Sequence, residues 1–138
     1  MTNQVKCEWQ GKMAFKSTSP GGSVMLDASE AVGGEGKGVR PKGLMLTALA
    51  GCTAMDVTAL FTKMRAVPED FKILIDANLT EEHPKYYDKV TIIYQFWGKD
   101  LKKDKLEKAI NLSLTKYCGV TAMFNRFAQV ETKIEYFD

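Results

Sequence analysis

Hydrophobic and polar positions alternate at both ends of the chain and recur with helical spacing between them. Val5, Cys7 and Trp9 alternate with Lys6, Glu8 and Gln10, which predicts a half-buried strand with Cys7 on its apolar side. Gly11 leads into a second short strand at Met13-Ala14-Phe15. The run Thr18-Ser19-Pro20-Gly21-Gly22 is a turn, because proline presets one backbone angle and glycine admits positive φ. Ser23 to Leu26 returns, completing an antiparallel meander. Phe71, Ile73, Ile75, Ala77 and Leu79 alternate with more polar neighbours, as do Val90, Ile92, Tyr94 and Phe96, and again Val130, Thr132, Ile134 and Tyr136. Three further strands are expected there.

Between the two strand groups lies a helix that starts at Pro41, where a missing N–H is harmless. It carries Leu44, Leu46, Leu49, Cys52, Met55, Leu60, Phe61 and Met64, and residues 43–55 bear no charge on any face. A helix apolar all round must be covered all round. One small sheet covers one side, so a second subunit is expected on the other. A second helix is expected after Asp104 and Glu107, which read as a capping box, with Leu106, Ala109, Ile110, Ser113 and Tyr117 on one face and Gly119 as its stop. A short helical segment follows at 122–127. The expected order is βββ–α–ββ–αα–β, an α+β class in one domain spanning 1–138. The methionines are assigned to the core.

Composition narrows function more than fold. The chain has 138 residues, 45% hydrophobic and 26% charged, with a net charge of +2 and no long basic run. Nucleic-acid and membrane-surface roles have no electrostatic support. The uncharged run 43–55 is too short to span a bilayer, and the start of the chain lacks the apolar region of an export signal, so a cytoplasmic protein is expected. The glycine-rich loop 28–39 contains Gly36-Lys37, but Gly38 stands where a phosphate loop needs a hydroxyl, which argues against nucleotide binding. His83, in a polar connector, is read as an exposed loop residue.

Three cysteines, Cys7, Cys52 and Cys118, are too few and too scattered for a disulfide scaffold, and the single histidine does not complete a zinc cluster with them. Free cysteines are commonly small core residues, and for Cys7 that reading suffices. Asp56, one turn after Cys52, either marks the helix emerging into solvent or accepts a hydrogen bond.

The words around the other two cysteines add to this. Arg40-Pro41-Lys42-Gly43-Leu44-Met45-Leu46-Thr47-Ala48-Leu49-Ala50-Gly51-Cys52-Thr53-Ala54-Met55-Asp56-Val57 resembles the central helix of the OsmC/Ohr family, and Leu112-Ser113-Leu114-Thr115-Lys116-Tyr117-Cys118-Gly119-Val120 resembles its second-cysteine segment. Trp9-Gln10-Gly11 and the order of elements are similar too. The resemblance implies an OsmC-like fold, with antiparallel sheets around a long buried central helix, in an entwined homodimer. It further implies a cysteine-based reduction of organic hydroperoxides, with Cys52 peroxidatic, Cys118 resolving and a dithiol as reductant, and with no cofactor or metal.

A thiol with a pKa of about 8.5 needs a cation or aligned N–H groups to react at neutral pH. The family supplies an arginine held by an acidic residue. Here Lys42 stands at the acidic position and residues 1–30 contain no arginine. Arg40, Lys12 and Lys42 are the candidates for that charge, with Lys16 beside them. The alternative function is a non-enzymatic dimer of the same fold that binds a small apolar ligand; a purely structural role for the cysteines is the third.

Overall fold

The computed structural model describes all residues 1–138. The chain divides into two compact units, Met1–Met45 and Leu46–Asp138.

In the first unit, β1 (Lys6–Trp9), β2 (Phe15–Ser19) and β3 (Gly22–Leu26) form an antiparallel meander. Gly21, at φ 94°, makes the β2–β3 turn. The following loop is held by backbone approach and one carboxylate. A Cβ on Gly34 would overlap the carbonyl of Ala28, and one on Gly38 would overlap that of Met25, so only glycine fits either position. Asp27 accepts N–H bonds from Ala28 (2.8 Å), Glu35 (3.2 Å) and Lys37 (3.1 Å). A phosphate loop would offer such N–H groups to its ligand; here an internal carboxylate takes them. The hydrogen bond from Lys37 N–H, then those from Ala28 and Glu35 and the Arg40 charge, outweigh burial and hold the Asp27 carboxyl below its ordinary range.

The long helix, α1 (Pro41–Lys63), begins at the predicted proline and runs from the first unit into the second. It ends by geometry. Arg65 takes the left-handed conformation (φ 54°), Ala66 N–H reaches back to Phe61 O (2.9 Å) and Arg65 N–H to Thr62 O (3.1 Å), the paired bonds of a Schellman motif. Leu49, Thr53, Val57 and Phe61 are its buried residues, spaced by four and so forming one stripe. By length and composition such a helix is able to cross a bilayer, but this stripe belongs to the core of the second unit.

That core is built on β4 (Asp70–Leu79), β5 (Tyr87–Trp97) and β6 (Gln129–Phe137), in the order β4-β5-β6, with β4 antiparallel and β6 parallel to the central strand. Val90, Ile92, Tyr94 and Phe96 on one face of β5 are completely buried, the period-two pattern expected of a central strand. Leu49, Val57 and Phe61 of α1 join them, as do Leu106, Ala109 and Ile110 of α2 (Lys103–Leu112) and Phe124 of α3 (Gly119–Phe124). A parallel neighbour needs a crossover, and α2, a π-helical turn at Ser113–Tyr117 and α3 provide it.

Four expectations need correction. Cys7 is exposed, as are Met13, Met25, Met45, Met55 and Met123, and only Met64 packs against the core; apolar character marks a face to be covered without saying what covers it. Asp104 lies in the first turn of α2 and makes no cap, since the residue before the helix is Lys102 with no side-chain capping bond. Gly119 opens α3 instead of closing α2. The chain is turned by Cys118, whose extended backbone (ψ 101°) ends the π turn. The final helix accordingly starts and ends about three residues before the expected one.

Candidate active site

Cys52 sits mid-way along α1, one residue before the fully buried Thr53 and one turn before Asp56. Cys118 follows α2 in the chain. After α2 the helix widens by one residue, so that Cys118 N–H bonds to Ser113 O (2.8 Å) five residues back. Such π turns recur at functional sites, where they re-aim a side chain. The result is a cluster: the Cys52 sulfur, the Cys118 sulfur and a carboxylate oxygen of Asp56 all lie within 4.8 Å of one another. Cys52 is half-buried and Cys118 is buried at 4% exposure.

Backbone groups address both sulfurs. Thr121 N–H donates to Cys118 Sγ (3.3 Å) and Val120 N–H donates to the Cys52 sulfur. The Val120 bond favours the Cys52 thiolate, but other influences oppose it. Burial, then the hydrogen bond with Cys118, then the charges of Cys118 and Asp56 hold its thiol above the ordinary range, against the lowering effect of Val120.

Asp56 is anchored by a buried chain of hydroxyls that sequence reasoning missed. Ser113 Oγ donates to Asp56 Oδ2 (2.9 Å), Thr53 Oγ1 lies 2.8 Å from Ser113 Oγ, and Tyr94 OH lies 2.7 Å from Thr53 Oγ1. Each hydroxyl has one proton. With Ser113 spending its proton on Asp56, Thr53 must donate to Ser113 and Tyr94 to Thr53. All donors therefore point toward the carboxylate. Burial foremost, opposed by the lowering hydrogen bond with Thr53 and aided by the charges of Cys118 and Asp56, raises the Tyr94 phenol to about 12, so it remains a donor. The sequence carried a signal for this network: Thr53, Ser113 and Tyr94 are the hydroxyl-bearing members of otherwise apolar stripes on α1, the α2 segment and β5. Thr121 Oγ1 is buried without a hydrogen-bond partner.

The three charge candidates belong to the first unit. Arg40 donates to Gly38 O (2.7 Å) and helps hold Asp27 ionised. Lys12, in a left-handed turn (φ 49°), pairs with Glu35 at 3.6 Å. Lys42 is exposed in the first turn of α1, and Lys16 is exposed on β2 opposite Glu8. His83 is exposed in its connector.

Chemically, two neighbouring thiols of unequal exposure can exchange between dithiol and disulfide, and the more exposed Cys52 is the one an external oxidant meets first.

Comparison with known proteins agrees over nearly the whole chain. Residues 34–133 match a protein-family model described as OsmC-like protein. The protein YhfA of Escherichia coli K12 is 26% identical over 133 residues, covering 96% of each chain. A hypothetical protein from Aquifex aeolicus VF5 superposes with a TM-score of 0.86 at 29% identity, covering 100% of this chain and 98% of the other. The organic hydroperoxide resistance protein OhrB of Bacillus subtilis shares the fold at a TM-score of 0.62 and 20% identity, covering 99% and 98% of the two chains.

Proposed function

The chain belongs to the OsmC-like protein family, and from that membership we propose that it reduces organic hydroperoxides through a Cys52/Cys118 pair. The observation that carries the reading is the clustering of the two sulfurs, 4.8 Å apart or less, with a backbone N–H directed at each. The Cys52 thiolate attacks the terminal oxygen of the hydroperoxide; the O–O bond breaks, sulfur is oxidised to sulfenic acid, and the alkoxide leaves and takes a proton. The Cys118 thiol then displaces water from that sulfenic acid to form the disulfide. An external dithiol reopens it by thiol–disulfide exchange and is itself oxidised. The reaction belongs in a reducing compartment such as the cytoplasm.

The proposed candidates for a cation that activates Cys52 remain Arg40, Lys12 and Lys42. Arg40 is the first to test, because only arginine has a planar fork able to hold a peroxide oxygen and a carboxylate together. A second copy of the chain is the proposed cover for the open apolar surface of α1, where Met45 and Met55 are 48% and 75% exposed.

Peroxide consumption tests the reading. Reduced protein given cumene hydroperoxide and excess dithiothreitol is expected to consume one dithiol per hydroperoxide over many turnovers, and the Cys52→Ser variant none. Failure of the wild type, while Cys52 still reacts with a maleimide, would overturn the proposal.

One observation favours the binding alternative. A recess of about 320 Å³ in the first unit is lined by Cys7, Met13, Phe15, Leu26, Ala28 and Pro41 together with Asp27. An apolar molecule that co-purifies in native mass spectra, with both site thiols unreactive toward hydroperoxide, would support that reading instead.

A further inference from the structure

The charges gathered at the cysteine pair suit a cation better than an anion. Two potential thiolates and a carboxylate converge, and the groups that act electrostatically on Cys52, Cys118 and Asp56, are both of negative sign when ionised. Protons relieve that crowding in one way; a divalent metal relieves it in another. We propose that Cys52 Sγ, Cys118 Sγ and the Asp56 carboxylate form a binding site for a zinc-class divalent cation.

Ligand type and spacing both fit. Thiolates are soft donors that select zinc over magnesium or calcium, and three protein ligands leave a fourth tetrahedral position for water. Zn–S bonds of about 2.3 Å and Zn–O bonds of about 2.1 Å place tetrahedral ligand atoms about 3.5–3.8 Å apart. The three atoms here lie within 4.8 Å of one another, so an approach of at most about 1.3 Å between any two, within rotamer adjustment, closes the set.

The surroundings have the features that metal ligands need. Cys52 and Asp56 are four apart on one helix, hence on one face. Ser113 Oγ binds Asp56 Oδ2 and is itself fed by Thr53 and Tyr94, a chain that fixes the carboxylate in the way outer-sphere partners orient metal ligands. The Val120 and Thr121 N–H groups supply hydrogen bonds to the two sulfurs. Thr121 Oγ1, buried and without a partner, belongs to the residue that addresses Cys118.

Loading the site converts both thiols to metal-bound thiolates and sends two protons to solvent. No electron is transferred. The same two sulfurs cannot be bound to zinc and to each other, so metal occupancy and the disulfide exclude one another. The sequence reading expected no metal, since the single histidine completes no zinc cluster with the cysteines; it is the carboxylate one turn along α1 that completes the set.

Cobalt substitution tests this on the reduced, metal-free, full-length protein. One equivalent of Co²⁺ should produce thiolate-to-cobalt charge-transfer absorption with the intense visible bands of a tetrahedral centre, and Zn²⁺ should abolish both. Asp56→Asn should weaken binding about tenfold or more, and Ser113→Ala less, with the charge-transfer bands retained. Zinc should also protect Cys52 and Cys118, and not the exposed Cys7, from alkylation; this readout needs no variant and survives any folding defect. Absent charge transfer with no protection in the wild type overturns the proposal, as does unchanged affinity in Asp56→Asn. Protein that forms the disulfide with hydroperoxide but takes up no cobalt loses this inference and keeps the peroxidase reading; the reverse result does the opposite.

Discussion

Thr53→Val removes one oxygen from the centre of the buried hydroxyl chain while preserving the shape of the side chain. Thr53 and Tyr94 are both completely buried, and Thr53 Oγ1 makes contacts of 2.7 Å with Tyr94 OH and 2.8 Å with Ser113 Oγ. Each buried hydrogen bond contributes about 1 kcal/mol net, and a buried donor left without an acceptor costs about 1–3 kcal/mol more. Valine strands the Tyr94 proton and deprives Ser113 of its donor. The expected loss is therefore about 2–4 kcal/mol, or a fall of roughly 1–2 M in the urea midpoint. Thr53→Ser, which keeps the hydroxyl and loses one methyl, should cost only about 1 kcal/mol. The assay is urea unfolding at one fixed protein concentration, because subunit association would enter the equilibrium. Tyr94→Phe removes the donor that Thr53→Val strands, so the double variant should be more stable than the sum of the singles by on the order of 1 kcal/mol. A Thr53→Val loss under about 0.5 kcal/mol, or strict additivity with Tyr94→Phe, would refute the directed chain.

Other consequences follow from the same geometry. Cys52 alkylation should rise through and beyond pH 8.5, the ordinary thiol value, and Asp56→Asn should move that curve to lower pH, since removing a nearby anion favours the thiolate; an unmoved curve contradicts the assigned charge effect. The raised Cys52 value means that the folded state prefers the neutral thiol, a contribution intact below about pH 8.5 and lost as pH rises through the folded value. Asp27 has the opposite sign: its contribution is present above about pH 3.9 and fades as pH falls toward its depressed value. The amide resonances of Glu35 and Lys37 should titrate there, and Asp27→Asn should abolish that titration. Gly34→Ala should disrupt the loop packing of the first unit, read as lost amide protection in the loop, because its Cβ has no room against Ala28.

Much of the fold was legible because it rests on local periodicity. The alternation at 71–77 and 90–96 placed β4 and β5, and Pro41 marked the start of α1 correctly. The residues that failed did so for tertiary reasons. Cys7 and most of the methionines share the apolar character of core residues, yet nothing in their spacing says whether their own chain covers them. Gly119 has the usual signature of a helix stop, but the π turn at Ser113–Tyr117 and the extended Cys118 shift the break by one residue and make the glycine a beginning. The cysteines were visible as paired words in the sequence. Their hydroxyl support was only hinted at by single hydroxyls in apolar stripes, because Thr53, Tyr94 and Ser113 come from three elements and become a chain only when those elements pack. Asp27 was hidden likewise, since its amide partners lie up to ten residues away in a loop.

Disulfide mapping puts the central claim to its most direct test. Fully reduced protein, stripped of metal and treated with one equivalent of an organic hydroperoxide, is digested under conditions that block exchange and analysed by mass spectrometry. A single new cross-link joining the Cys52 and Cys118 peptides is expected, with Cys7 still free and one molecule of alcohol released per link. Recovery of both site cysteines as free thiols, with Cys52 open to alkylation throughout, would contradict it.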